Sequence, residues 1–273
     1  MSGAATRRGN LPRTPFPFPG GKSRLAKWIL EYVPEHECFV EVFGGAAGVL
    51  FNKDPATSSV EVYNDADEDL VHFFKVLRED VEELVAWLDA VPYSRKVHDR
   101  WADLYYKGYR PTDDIERAGR FFYLRYSQWG ASYDSNSGFA TSKVSSRALS
   151  FSNKIDRLEE FAERFQEVVL ENLHWKRAVD KYDGEQTAFY FDPPYVDKQD
   201  YYPVEDIDHG ELLERLEALT GYGLCSYQDL PEGGDEFHVM GREDTNMINS
   251  GKSGSGVDTR EHLLLNFDPE VVL

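Results

Sequence analysis

Short apolar runs alternate with amphipathic stretches along most of this chain, and that alternation restricts its fold more than any other feature. Runs that read as strands lie at 38–43, 59–65, 168–172, 187–191, 223–227 and 262–267. Helical spacing falls between them, over 23–32, from Val49 onward, and over 68–78, 81–88, 115–126, 153–165 and 210–219. Strands that alternate with helices build βαβ units, so the expected fold is α/β with a mostly parallel sheet. At 273 residues, the chain makes one large domain or one domain with a sizeable insertion. Residues 1–15 read as a disordered, polar and basic tail with no apolar signal core. No apolar stretch is long enough to cross a membrane. Cys38 and Cys225 form no C-x-x-C pair, which argues against a disulfide framework or a zinc site and makes the cytoplasm the default.

The run 187–191 stops at Asp192-Pro193-Pro194-Tyr195. In open α/β sheets, ligands bind at the carboxyl ends of strands, and Asp192 would sit at that edge. Each proline restricts the residue before it to an extended conformation, and the loop presents acceptors. An exocyclic amine on an aromatic base is a poor nucleophile, because its lone pair is conjugated into the ring. Asp192 and the Pro193 carbonyl could hold its two hydrogens and free that lone pair for a methyl donor, with the Tyr195 ring on the base. Taken alone, the segment could equally be an ordinary Pro-rich turn.

Other segments narrow the choice. Phe43-Gly44-Gly45-Ala46-Ala47-Gly48 sits at a strand-to-helix junction, where small residues admit a ligand close to the backbone. Its spacing is not the dinucleotide fingerprint. Asp65 follows about 20 residues later at the end of the next strand, where an acid can bind ribose hydroxyls; the competing role is a helix N-cap. Gly20-Gly21-Lys22-Ser23 is not a phosphate loop, since the required first glycine is Phe16, and Gly251-Lys252-Ser253 fails likewise at Asn246.

The net charge is −19, which by itself argues against a nucleic-acid partner. Its distribution says otherwise. Tyr93 to Arg157 holds twelve Lys/Arg and seven Asp/Glu, a local +5, and leaves −24 on the rest. A basic segment on an acidic body suits a polyanion. The acidic body itself fits a high-salt cytoplasm, where phosphate contacts weaken and base contacts carry more of the affinity.

In order, Pro19-Gly20-Gly21-Lys22, Phe39-Val40-Glu41-Val42-Phe43-Gly44-Gly45, Tyr63-Asn64-Asp65 with Leu70, and Asp192-Pro193-Pro194-Tyr195 resemble the Dam-type DNA adenine-N6 methyltransferases. The likeness runs over about 16–268, and includes Phe121 to Gly130 and Thr259 to Phe267. It implies a Rossmann-like methyltransferase domain over 16–90 and 158–273, with an inserted, mainly helical target-recognition region over 91–157. It implies S-adenosylmethionine as methyl donor, held by Phe18, Gly21, Lys22, Glu41, Phe43, Gly44, Gly45, Asp65 and Asp192. Asp192, Pro193, Pro194 and Tyr195 would act on a flipped-out adenine, without a metal. Val42 and Pro17 depart from the family's usual residues, and the stretch after Tyr227 diverges.

For double-stranded DNA the candidate contacts are Arg117, Arg120, Arg125, Lys143 and Arg147, since Arg and Lys bind phosphates and Arg reads guanine. Tyr126, Trp129 and Tyr133 could stack on bases or pack in the core. A cognate restriction endonuclease, a monomeric state, and a cellular or viral origin accompany the resemblance. The competing functions are N4-cytosine, RNA or protein-amide methylation by the same loop, and an inactive DNA-binding relative.

Overall fold

The computed structural model describes residues 14–129, 135–194, 207–246 and 257–273. Tyr133, Tyr195 and the Gly/Ser-rich stretch 249–256 lie outside the described residues.

Strands β1 (Cys38–Glu41), β2 (Val60–Asn64), β3 (Val168–Glu171), β4 (Thr187–Phe191) and β5 (Tyr222–Tyr227) run parallel. Strand β7 (Val257–Leu265) enters antiparallel between β5 and β6 (His238–Asn246). The sheet order is β3-β2-β1-β4-β5-β7-β6. This is a Rossmann-like methyltransferase fold. The chain leaves β1 toward β2 and β3, then returns to β4 on the other side of β1. Such a switch opens a crevice beyond the carboxyl ends of the two strands.

The two-residue period of the strands separates two cores. Phe39, Tyr63, Ala188, Tyr190, Leu263 and Leu265 face one cluster, and Val40, Val62, Phe189, Phe191 and Leu264 face the other. Every residue of β4 is buried, as an apolar run in mid-sheet requires. The first face is covered by α1 (Ala26–Leu30), α2 (Glu68–Glu79), α3 (Val81–Asp89), α5 (Asp114–Ser127), α6 (Arg147–Ile155) and α7 (Leu158–Phe165). The second is covered by α8 (Trp175–Tyr182) and α9 (His209–Glu217). Helices α4 (Arg95–Tyr106) and α10 (Pro269–Val272) complete the described set, in which none is long and apolar enough to cross a membrane.

The long helical stretch between β2 and β3 shares the sheet's core. Phe73 and Phe74 of α2, Phe121 and Phe122 of α5, and Phe151 of α6 belong to one cluster with Phe16. Described apolar residues of 91–157, Phe121, Phe122 and Phe151 among them, thus pack into the same cluster as the sheet.

Several elements differ from the sequence expectation. The helix over 23–32 is a 3-10 turn, Lys22–Arg24, followed by the short α1. The helix expected from Val49 is only a 3-10 turn, Leu50–Asn52. The helix over 153–165 is two, α6 and α7, broken at Asp156 and Arg157, and α6 starts earlier because Ser146 caps it through the Leu149 N–H. Helices α4 and α8 and strand β6 were not expected. The apolar spacing of α4 (Val97, Trp101, Leu104) lies in a charged stretch, α8 spans eight residues, and β6 is a polar edge strand paired on one side. Thr14 and Pro15, assigned to a disordered tail, are buried, with their carbonyls accepting from Lys154 and Tyr126.

Candidate active site

Beyond the ends of β1, β2 and β4 lies a cavity of about 460 Å³. That volume suits a small-molecule site. Phe18, Gly21, Lys22, Glu41, Phe43, Gly44, Gly45, Asp65, Asp192 and Pro194 all line it. Pro193 is buried beside them and is not part of the lining.

The glycine turn is held from three sides. The Gly45 N–H donates to Asp65 Oδ2 at 2.8 Å, and the Tyr63 hydroxyl donates to the Gly45 carbonyl at 2.8 Å. Gly45 has φ +49, in the left-handed region where a side chain is strained, and a Cβ there would meet the Phe18 ring at 2.8 Å. At Gly48 a Cβ would press on the Ser23 backbone nitrogen at 3.0 Å. The turn is thus folded tightly against the 18–23 loop. Glu41 accepts the N–H groups of Val49 and Leu50 at 3.2 and 2.9 Å, so the carboxylate of β1 anchors the 3-10 turn after the glycines. Burial pushes its pKa up to about 8 against those two hydrogen bonds.

Asp65 also accepts from the Asp67 N–H at 2.8 Å. Burial, with the charge of Asp67, pushes Asp65 up to about 7. Asp65 is not the N-cap of α2; Asp67 is, accepting from Asp69 N.

Asp192 stands at the end of β4 with 19% of its side chain exposed, and its Oδ1 lies 2.8 Å from Lys22 Nζ. Burial pushes Asp192 up to about 6, although the Lys22 charge opposes the rise. Burial acts to lower the pKa of Lys22, but the charges of Asp192 and Glu261 outweigh it and hold the ammonium protonated. The cavity thus joins a braced glycine turn, an acid at each of three strand ends, and a lysine held on one of those acids.

The chain matches the D12 class N6 adenine-specific DNA methyltransferase family over residues 18–218. It belongs to that family. Two relatives agree in kind. A Type II methyltransferase, M.CviBI, of Paramecium bursaria Chlorella virus NC1A is 24% identical over 226 residues, covering 81% of this chain and 73% of that protein. A DNA N-6-adenine-methyltransferase of Escherichia phage P1 is 26% identical over 195 residues, covering 67% of this chain and 24% of the phage protein. A solved conserved hypothetical protein of Streptococcus pyogenes aligns over 89% of this chain and 94% of its own, with 9% identity and a TM-score of 0.34, a fit too loose to argue from.

In this DNA methyltransferase the basic candidates divide in two. Arg125 is fully buried, where it donates to Gln128 Oε1 at 3.1 Å. A guanidinium enclosed in this way cannot reach a phosphate, so its expected DNA contact does not fit this structure. Arg117 pairs with Asp69 at 2.8 Å and Glu68 at 3.0 Å, and Arg120 pairs with Glu116 and lies over the Trp101 ring. These two tie α5 to α2 and α4. Lys143 and Arg147 are exposed. The unexpected helix α4 adds exposed Arg95, Lys96 and Arg100; Arg95 lies over the Phe139 ring, and Tyr93, which feels the Arg147 charge, donates to Ala140 O at 3.0 Å. Trp129 is half exposed, while Tyr126 packs against Phe122 and Phe151.

Sequence reasoning missed Glu261, Asn64 and the Leu173-His174-Trp175 wall of the cavity. Asn64 ties two segments together, donating to Val42 O at 2.8 Å and accepting from Leu173 N at 3.0 Å. Glu261 carries a readable signal, since it steps by two from Leu263 and Leu265 and must share their buried face. Nothing in the local sequence marks His174 or Trp175 as cavity-lining.

Proposed function

We propose that the cavity binds S-adenosylmethionine and that Asp192 presents the N6 amine of a flipped-out adenine in duplex DNA to it. The observation that carries this reading is that Asp192 lines the same cavity as the glycine turn and Asp65. The donor set suits such a molecule. Aromatic Phe18, Phe43 and Trp175 can pack on a purine, Asp65 and Asp67 can accept ribose hydroxyls, and the carboxylates favour a cation. When bound, the cofactor supplies an electrophilic methyl group on sulfur; the amine lone pair forms the new nitrogen–carbon bond as the carbon–sulfur bond breaks toward sulfur.

The protein's own part is positioning and electrostatics. Lys22 engages Oδ1 of Asp192, so Oδ2 and the Pro193 carbonyl would take the two amine hydrogens. The nitrogen becomes cationic as it takes the methyl, and a nearby carboxylate favours that charge until a proton leaves to Asp192 or water. Flipping the base costs a few kcal/mol. Tyr195, which lies outside the described residues, would return about 1–3 kcal/mol by stacking. On the DNA side the reading now favours Lys143 and Arg147 with Arg95, Lys96 and Arg100, because these are exposed. A cognate endonuclease and a monomeric state rest on the resemblance alone, and a high-salt setting rests on the charge balance.

Nucleoside mass spectrometry of duplex DNA incubated with enzyme and S-adenosylmethionine tests the reading. N6-methyladenine is expected, and should vanish with Asp192→Ala while that variant still unfolds cooperatively, at a melting temperature lowered by the loss of the Lys22 partner. N4-methylcytosine alone, or full activity of the variant, would overturn it.

A further inference from the structure

Strand β7 brings a third charge to the Lys22–Asp192 pair. Glu261 Oε1 lies 3.3 Å from Lys22 Nζ, with 10% of the Glu261 side chain and 6% of the Lys22 side chain exposed. The strand period explains how it gets there. Glu261, Leu263 and Leu265 share one face of β7, the face that Tyr190 shares across the sheet, and Asp192 continues the alternation of Tyr190 on β4. An acid on this face points into the protein.

The ammonium has three N–H groups. Gly20 O at 3.1 Å, Asp192 Oδ1 at 2.8 Å and Glu261 Oε1 at 3.3 Å approach it from three separate segments. With Asp192 alone, the flexible lysine stem would leave the ammonium free to swing about that oxygen. Glu261 and the Gly20 carbonyl fix it from the other sides. A buried charge that loses a partner also costs several kcal/mol, so the arrangement resists rearrangement. The three charges sum to −1, which favours the positive charge that develops on the amine during methyl transfer.

We propose that Glu261 is a positioning residue for methyl transfer: it anchors the far side of the Lys22 ammonium, so that Lys22 holds Asp192 in the orientation that receives the target amine. This rests on the reaction proposed for the cavity. Among the described residues, the titratable groups facing the Lys22–Asp192 pair are Glu41 from β1, Cys225 from β5 and Glu261 from β7 toward Asp192, and Tyr190 from β4 toward Lys22 of the N-terminal loop. Burial raises the Asp192 pKa most, Lys22 lowers it, and Glu261 raises it further. Removing the Glu261 charge while keeping an acceptor must therefore lower the pH at which Asp192 gains its proton.

The test is single-turnover methyl transfer to duplex DNA across pH 5 to 9, with the wild type, Glu261→Gln and Glu261→Ala, each checked by thermal unfolding. Glu261→Ala is expected to lower the plateau rate by about tenfold to a hundredfold, the size of a misplacement near 1 Å. Glu261→Gln should keep the plateau within about threefold and move the acidic limb to lower pH, toward the ordinary carboxylate range. If Glu261→Ala does not fold, the limb shift in Glu261→Gln decides. Plateau and limb both unchanged in the folded variants would overturn the proposal. Equal rate losses in both variants with an unmoved limb would also overturn it, since they mean a structural role only. If the wild type transfers no methyl group to any duplex, the underlying reaction fails instead, and the Glu261 role with it.

Discussion

Gly44→Ala probes the turn that shapes the cavity. A Cβ at Gly44 would lie 2.2 Å from Cε2 of Tyr63 and 2.6 Å from Cδ2. Carbon atoms settle at about 3.5–4.0 Å, so the ring or the turn must move by more than about 1 Å. The ring has nowhere to go. Tyr63 is fully buried, its centroid is 4.7 Å from that of Phe74 and 5.8 Å from that of Phe165, and its hydroxyl is bonded to Gly45 O. Overpacking costs about 1–3 kcal/mol, and the strained hydrogen bond adds about 1 kcal/mol. A loss of about 2–4 kcal/mol in unfolding free energy follows. Urea unfolding should show a lower midpoint with an unchanged slope, and calorimetric titration should show weaker S-adenosylmethionine binding. Tyr63→Leu makes room for the methyl, so the double variant should lose less than the sum of the singles by more than about 0.5 kcal/mol. Wild-type unfolding and cofactor affinity in Gly44→Ala, or strict additivity in the double variant, would refute the reasoning.

Two further predictions concern charge. Burial, opposed by the Leu50 and Val49 N–H groups, pushes Glu41 from an ordinary value of 4.5 up to about 8. The native protein then holds a proton that the unfolded chain has released, so this group's contribution to stability falls as pH rises through that window. Thermal unfolding of the wild type should lose more between pH 5 and pH 8 than that of Glu41→Gln; Asp65 and Asp192, also raised, keep the slope from vanishing. Parallel slopes would count against the assignment. On the DNA side, Arg147→Ala and Lys143→Ala should leave the melting temperature unchanged, weaken duplex binding, and each reduce the salt slope of log K by about 1. Arg125→Ala should instead lower the melting temperature at an unchanged salt slope, because its guanidinium is fully buried. The reverse pattern in a filter-binding titration would exchange their roles.

The strands and the cavity were readable because their signals are local. A continuous apolar run ending in Asp192 fixes a central strand and its edge, and small residues at 44–48 mark where the backbone must come close. What was not readable depends on distant partners. Arg125 and Arg147 look alike in sequence, yet one sits inside α5 beside Gln128 and the other at the exposed start of α6. Only partners distant in sequence, Asp69 forty-eight residues away and Glu68 beside it, tell that Arg117 is committed to ion pairs. The inward direction of Glu261 follows from its alternation with Leu263 and Leu265, but the place of that strand between β5 and β6 has no local signal. The 3-10 turns at Lys22–Arg24 and Leu50–Asn52 stand where longer helices were expected, and Gly48 packs closely against the backbone of Lys22 and Ser23 between them.

The segment from Thr14 to Lys22 connects these parts. Thr14 O and Pro15 O accept from Lys154 of α6 and Tyr126 of α5, and the Phe16 ring lies among Phe73, Phe74 and Phe121. Two residues on, Phe18 covers Gly45, and Lys22 reaches Asp192 and Glu261. One short stretch thus touches α5, α6 with exposed Arg147 at its start, the turn that shapes the cavity, and Asp192 at the end of β4. In sequence it precedes all of them, so motif order suggests separate modules. In space the helical region, sharing the Phe16 cluster with the sheet, cannot shift far without moving the loop that holds Lys22. The exposed start of α6 and the cavity are therefore borne by elements that pack into one hydrophobic cluster.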